Sequence, residues 1–193
     1  MRSFWLIAPY ASWMALMVAM PATAAGYAVR TCVTAALLVP TLRARLSGGC
    51  RGLARQLAWG VPVGLAVFAV WILPEQFDWP LYGRFCIVGE GGTRGLAETG
   101  AALLAVRLFG SAFVISVAEE LFFRKWLVDF AGFWWMVALF AVEHDRWLVG
   151  AVAGVIYGLL CLRRGLGAAV VAHATTNLAL GLWVLRTGQW QFW

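Results

Sequence analysis

The sequence predicts an all-α protein, a polytopic transmembrane helical bundle of about seven to eight helices. Of its 193 residues, 63% are hydrophobic and only 12% are charged, about half the charged share of a soluble domain. A soluble fold of this length could not bury so much apolar surface, whereas a bilayer removes the need to bury it. The length suits one domain, so we expect residues 1–193 to form a single integral membrane domain.

Seven apolar runs define the expected helices, at about residues 4–24, 27–42, 57–74, 100–123, 133–146, 148–162 and 166–186. A membrane span needs roughly 20 apolar residues, with a range of about 17–25. The fifth and sixth runs are short by that standard. They are therefore expected to be half-buried helices shielded by their neighbours, or to have an eighth element nearby.

The first run has two interpretations. It follows Met1 and Arg2, and Ala22-Thr23-Ala24 resembles the cleavage site of a signal peptide. The apolar stretch is long for a signal peptide, however, and it contains Trp5 and Trp13. These two features favour a helix that stays in the protein.

The distribution of basic residues predicts the orientation. Four arginines crowd the link between the second and third runs: Arg43, Arg45, Arg51 and Arg55. Counting helices from this link puts the N-terminus, residues 124–132 and the Arg163–Arg164 turn on the same side. The positive-inside rule makes that side cytoplasmic. We therefore expect a multi-pass protein of the inner (cytoplasmic) cell membrane with a cytoplasmic N-terminus, and we ascribe the net charge of +6 to topology rather than to nucleic-acid binding.

Two adjacent carboxylates near the end of the fourth run are the first polar group of interest. Ionisable residues inside apolar runs are costly and usually face a protein interior or a wet cavity. Glu120 and Arg124 are four residues apart and share a helix face, whereas Glu119 points about 100° away. This spacing predicts a structural Glu120–Arg124 pair that leaves Glu119 free for chemistry; the alternative is a charged helix end at the membrane boundary.

Two histidines complete the set. His144 ends the fifth run, where it could also serve only as a cap. His173 and Asn177 are four residues apart, so both project from one face of the last helix; their alternative role is an interhelical hydrogen bond.

An antiparallel hairpin that turns near Ala131–Gly132 would bring these groups together. Glu119 and His144 would each lie about 12 residues, roughly 18 Å, from the turn. His173 would lie about eight residues, roughly 12 Å, from the Arg163–Arg164 turn. The sequence thus predicts that three separate segments place polar side chains at similar depth in the cytoplasmic half of the bilayer.

The chemistry of this set points to amide hydrolysis. A carboxylate and a neutral imidazole can activate a water molecule, and a second histidine with an asparagine can donate to a developing oxyanion. A zinc ion held by His144, His173 and one glutamate is the rival use of the same residues. The chain has no GxSxG motif, which argues against a serine nucleophile. It has no HExxH motif, and a zinc site would need both of its two histidines, so a mechanism without metal or other cofactor is favoured, with zinc as the alternative.

The same residues carry a family resemblance. Glu119-Glu120-x-x-x-Arg124, Phe140-x-x-x-His144 and His173-x-x-x-Asn177, in this order over about residues 100–185, resemble the motifs of the CPBP intramembrane proteases. That family includes the type II CAAX prenyl endopeptidases and bacteriocin-processing or self-immunity proteins. The resemblance implies a glutamic endopeptidase that cuts a peptide bond near the cytoplasmic face of the membrane. It also implies the residue roles: Glu119 and His144 activate water, His173 and Asn177 hold the oxyanion, and Glu120 and Arg124 form a supporting pair.

Two further features bear on the partners and on the mechanism. The stretch Ile7-Ala8-Pro9-Tyr10 resembles the branch associated with exosortase/PEP-CTERM sorting, which implies an exosortase-type sorting system as a partner and a membrane-anchored protein or peptide as the substrate. The chain departs from the family pattern at Glu143, which either tunes His144 or pairs with Arg146. The remaining alternatives are a catalytically idle binding or immunity protein and a transporter with a Glu–His proton relay.

Overall fold

The computed structural model describes residues 3–21, 23–45, 49–87 and 100–192, and within these ranges the chain is helical and contains no strand. The predicted all-α bundle is confirmed. Its helices are α1 (Phe4–Ala19), α2 (Ala24–Arg45), α3 (Gly49–Gln76), α4 (Tyr82–Cys86), α5 (Ala101–Ala131), α6 (Phe133–Val142), α7 (Trp147–Arg164) and α8 (Leu166–Thr187). The signal-like Met1 and Arg2, the cleavage-like Ala22 and residues 88–99 lie outside the described residues.

Five of these helices, α2, α3, α5, α7 and α8, are long and apolar enough to cross a membrane, and the chain is a multi-pass membrane protein. The fifth apolar run forms the short helix α6, which ends at Val142 rather than at residue 146. It stops there because the Phe140 carbonyl contacts the His144 side chain and the His144 amide donates to Ala141. The sixth run is longer than predicted, since α7 has 18 residues, and α4 is the additional short element.

From α2 to α8, leaving out the short α4, successive helices run in opposite directions between two ends of the bundle. One end, called the Arg163 end, carries Ala131 and the Arg163–Arg164 pair. The opposite end, called the Glu75 end, carries Gln76 and Thr187, and there the Trp147 indole donates to the Phe85 carbonyl. The predicted turn after Ala131 is confirmed: Gly132 has a φ of 91°, a value that favours glycine.

The first two helices pack against the segment that carries the glutamates. Tyr10 of α1 stacks on Phe122 of α5 with ring centroids 4.4 Å apart, and the Tyr27 hydroxyl of α2 donates to the Arg107 carbonyl of α5 at 3.2 Å. Arg30, an arginine inside an apolar run, lies over the Trp13 and Tyr27 rings at 5.3 Å each. Its charge is thus accommodated by aromatic faces.

The closest helix pair, α3 and α8, runs parallel and in contact along most of its length. Small residues allow this approach: a Cβ added at Gly64 would lie 2.4 Å from the Ala172 carbonyl oxygen. A hydrogen bond also joins the two helices: the Thr176 hydroxyl donates to the Gly64 carbonyl at 2.8 Å. Because α8 carries His173, this contact sets the position of the candidate site.

We expect Gly64→Ala to destabilise the fold by about 1–3 kcal/mol, since the added methyl group forces two packed backbones apart. The measurement is the thermal unfolding midpoint of the purified protein in detergent. Gly52→Ala, on the same helix, is the matched control, because a Cβ there meets nothing within 4 Å. Equal midpoints for the two variants would contradict the expected close packing.

Candidate active site

Helix α5 is irregular where it carries the two glutamates. Two π-helical turns, Gly110–Ile115 and Leu121–Leu127, flank the short α-helical stretch Ser116–Glu120. A π-helical turn inserts a residue and rotates the faces that follow, and such turns are frequent at functional sites. Both glutamates are buried, with 8% of Glu119 and none of Glu120 exposed.

Glu120 and Arg124 form the expected ion pair. Nη1 of Arg124 lies 3.2 Å from Oε1 of Glu120, and neither side chain is exposed. Aromatic rings enclose the guanidinium: Phe140 at 4.0 Å, with Tyr157 and Phe123 farther out. The pair therefore holds its charges out of solvent, supported by cation–π contacts.

Glu120 also contacts His173, and the motif spacing did not predict this contact. Its Oε1 lies 2.9 Å from Nδ1 of His173. A carboxylate that faces a guanidinium only accepts hydrogen bonds, so we assign the donated proton to Nδ1 of His173. The ring is stacked on Tyr157, with centroids 5.0 Å apart. Because Nδ1 is engaged with Glu120, Nε2 is the ring nitrogen that faces the cavity.

Nε2 of His173 faces Glu119. The distance to Oε2 of Glu119 is 3.7 Å, longer than a direct hydrogen bond. Separations of this size between polar atoms are commonly bridged by water. Of the two adjacent glutamates, Glu120 is paired with Arg124. Glu119 is therefore the carboxylate that is available to a water molecule or a substrate.

His144 occupies the turn between α6 and α7. Its Nδ1 lies 2.7 Å from the Phe140 carbonyl oxygen, and a carbonyl only accepts, so Nδ1 is the donor and Nε2 is the free acceptor of the neutral ring. The ring contacts Trp71 and Phe140, with centroids at 5.3 and 4.7 Å. The FxxxH spacing therefore positions the histidine, because Phe140 supplies both the carbonyl that accepts from Nδ1 and an aromatic ring that packs on the imidazole.

Asn177 is engaged with α5. Its Nδ2 donates to the Ser111 carbonyl at 2.9 Å and to the Ser116 hydroxyl at 3.1 Å. The Ser116 hydroxyl in turn donates to the same Ser111 carbonyl. Asn177 thus ties α8 to the first π-helical turn.

One cavity of about 160 Å³ joins the predicted residues, a volume sufficient for several water molecules. Glu119, His144, His173 and Asn177 all line it. Glu120 and Arg124 lie behind it as buried support. The remaining lining residues are Trp71, Ser111, Phe140, Tyr157, Thr176, Leu180 and Phe192.

Several of these lining residues were not identified from the sequence. The Tyr157 hydroxyl donates to Thr176 at 2.6 Å, and Thr176 donates on to Gly64. Thr176 could have been found by its place beside Asn177. Tyr157 and Trp71 carry no local signal, since both are single aromatic residues within apolar runs.

The position of Glu143 differs in part from the expectation. Arg146 does not pair with it; the guanidinium instead forms an ion pair with Glu75, including Nη2–Oε2 at 3.1 Å. A pairing across 71 positions has no signal in local spacing. No group of three or more His, Cys, Asp or Glu side chains within the described ranges is arranged to hold a metal ion.

Comparison with known proteins identifies one match. Residues 101–179 match the model of the family described as type II CAAX prenyl endopeptidase Rce1-like. The matched segment begins at the first residue of α5 and contains all three motifs. It confirms the predicted resemblance to the CPBP and CAAX proteases, whereas the exosortase-associated branch stays a prediction. No curated protein and no solved structure matches the chain.

Proposed function

We propose that the chain is an intramembrane glutamic endopeptidase in which Glu119 and His144 activate a water molecule, since residues 101–179 match the model of the type II CAAX prenyl endopeptidase Rce1-like family. The observation that carries this proposal is the shared cavity, which Glu119 and His173 line from two helices and His144 from the turn between α6 and α7. The substrate is a membrane-anchored protein or peptide.

The water molecule is activated by proton transfer. It is held between the Glu119 carboxylate and Nε2 of His144, the acceptor nitrogen of the neutral ring. As its oxygen bonds to the substrate carbonyl carbon, its proton passes to Glu119. Glu119 then delivers that proton to the departing amide nitrogen as the C–N bond breaks, so the products are a carboxylic acid, which keeps the second proton of the water, and an amine.

The oxyanion is stabilised by His173. A neutral ring that donates from Nδ1 to Glu120 has no proton on Nε2, so this role requires the doubly protonated ring. The Glu120 carboxylate, 2.9 Å from Nδ1, stabilises that positive charge. Arg124, Glu120, His173 and Glu119 then carry alternating charges that sum to zero, so that no buried charge is left without an opposite neighbour, which would be costly.

Asn177 is the second proposed oxyanion donor. Both of its amide protons are engaged, with Ser111 and Ser116, so this role requires it to exchange the weaker contact, at 3.1 Å, for the oxyanion. Donors aimed at a developing charge contribute about 10²–10³ in rate.

The site lies deep within the helices. His173 is about eight residues, roughly 12 Å, from the Arg163–Arg164 turn. With the Arg163 end on the cytoplasmic side of the inner membrane, as the basic residues predict, His173 lines the cytoplasmic part of the cavity, and His144, in the turn before α7, lines the part towards the Glu75 end. Residues 1–193 act as one membrane domain in this proposal, without a cofactor.

The test is cleavage of a library of membrane-anchored peptides by the purified protein in detergent, analysed by mass spectrometry. We expect cleavage that is indifferent to a metal chelator and falls about 10²-fold or more in His144→Ala. Arg55→Ala, far from the cavity residues, is the control.

The other outcomes are equally informative. Cleavage that a chelator abolishes and zinc restores would identify a metalloprotease. No cleavage by a folded preparation, judged by circular dichroism and thermal unfolding, would favour the idle binding or immunity protein.

A further inference from the structure

The chain that follows α8 turns back over the cavity at the Glu75 end. Helix α8 ends at Thr187, the chain reverses at Gly188, and Trp190–Phe192 forms a 3₁₀ turn. Phe192 is only 6% exposed and lines the same cavity as the candidate catalytic residues. This segment, residues 188–192, is called the strap.

Arg146 clamps the strap. Its Nη1 donates to the Gln191 carbonyl at 2.7 Å, and its guanidinium lies 4.9 Å from the centre of the Phe192 ring. The ion pair with Glu75, at the end of α3, fixes the guanidinium from the other side. Arg146 is 6% exposed and lies two positions after His144. Its contacts therefore join the strap to the turn between α6 and α7 that holds His144.

A second attachment fixes the start of the strap. The Gln189 side-chain oxygen accepts hydrogen bonds from Gln76 and from the Trp183 indole, each at 2.9 Å. Phe192 packs in a small apolar cluster with Ile72, Leu180 and Val184. The strap is therefore an integral wall of the cavity, held by both α3 and α8.

We propose that Phe192 is a specificity-determining residue that closes the substrate cavity at the Glu75 end, with Arg146 as its positioning residue. This inference rests on the proposed function. A substrate residue that occupies the cavity beside Glu119 and His144 meets an apolar wall of Trp71, Leu180 and Phe192. The substrate residue next to the scissile bond on that side is therefore small and apolar, and aromatic residues are excluded by size.

The first arm of the test measures how accessible the cavity is to a small reagent, and it does not depend on catalysis. Leu180→Cys is introduced into a chain whose four native cysteines are replaced by serine, and its reaction rate with a small thiol reagent is measured in detergent. We expect Phe192→Ala to raise this rate several-fold. Phe77→Ala, an exposed phenylalanine outside the cavity, is the matched control and leaves the rate unchanged.

The second arm measures selection. In the peptide library, Phe192→Ala is expected to raise cleavage of peptides with a bulky residue beside the scissile bond by about tenfold or more relative to small ones. Arg146→Met shifts the same ratio in the same direction, whereas Arg186→Gln, exposed at the same end, does not. Phe192→Leu keeps an apolar side chain and is the variant to use if Phe192→Ala unfolds.

The two arms separate the two proposals. If Phe192→Ala leaves the labelling rate of the cysteine at position 180 unchanged, Phe192 does not close the cavity. If labelling is faster but the ratio of bulky to small peptides cleaved is unchanged, Phe192 closes the cavity without selecting the substrate. Faster labelling without cleavage by any variant supports the wall and counts against the protease.

Discussion

Replacing Glu119 with glutamine is expected to abolish peptide cleavage while the protein stays folded. The amide has nearly the shape of the carboxylate but cannot accept the proton of the attacking water, so the loss is about 10²–10⁴-fold. The rate is measured on the best-cleaved peptide of the library, under single-turnover conditions that separate chemistry from binding. The melting temperature is expected to be retained, because the amide fills the same space as the carboxylate and the neighbouring His173 ring can be neutral beside it.

The matched control is Asp129→Asn, which removes the same charge from the same helix. Asp129 is exposed and pairs loosely with Lys125 at 3.8 Å, so this change leaves cleavage intact. Cleavage by Glu119→Gln at the wild-type rate would remove Glu119 from the chemistry and would leave His144 and His173 to be tested as the base.

Arg124→Gln is expected to have the largest effect on stability. It removes the guanidinium that faces the fully buried Glu120 carboxylate and empties the aromatic enclosure formed by Phe140 and its neighbours. Removing one partner of a buried ion pair costs about 3–5 kcal/mol. The measurement is unfolding in detergent by denaturant, with cleavage measured in parallel, because Glu120 also orients His173.

The next position along the helix offers a matched comparison. Lys125 and Asp129 are also four residues apart, but both are exposed, and exposed pairs contribute little to stability. Lys125→Gln should therefore change the unfolding midpoint hardly at all. The double variant Glu120→Gln with Arg124→Gln should recover part of the lost stability, since it removes the unpaired charge. Equal losses for Arg124→Gln and Lys125→Gln would show that burial does not set the cost.

The sequence alone determined the features that depend on helical periodicity. Apolar runs identified the helices, and the spacing of four residues predicted that Glu120 pairs with Arg124, because side chains four apart share a helix face. The hairpin turn, assumed near Ala131–Gly132 between two apolar runs, is found at Gly132. The three motifs together indicated which polar residues converge, since burying each of them separately in an apolar helix would be costly.

The tertiary structure decided what depends on contacts between distant segments. The Glu120–His173 hydrogen bond joins residues 53 positions apart, and the Thr176–Gly64 contact joins residues 112 apart. The clamp of Arg146 on Glu75 and on the strap is of the same kind. Local spacing carries no signal for such pairs, because they depend on how helices with interchangeable apolar faces pack. The π-helical turns of α5 escaped prediction for a related reason: Asn177 of another helix binds the Ser111 carbonyl in the first of them.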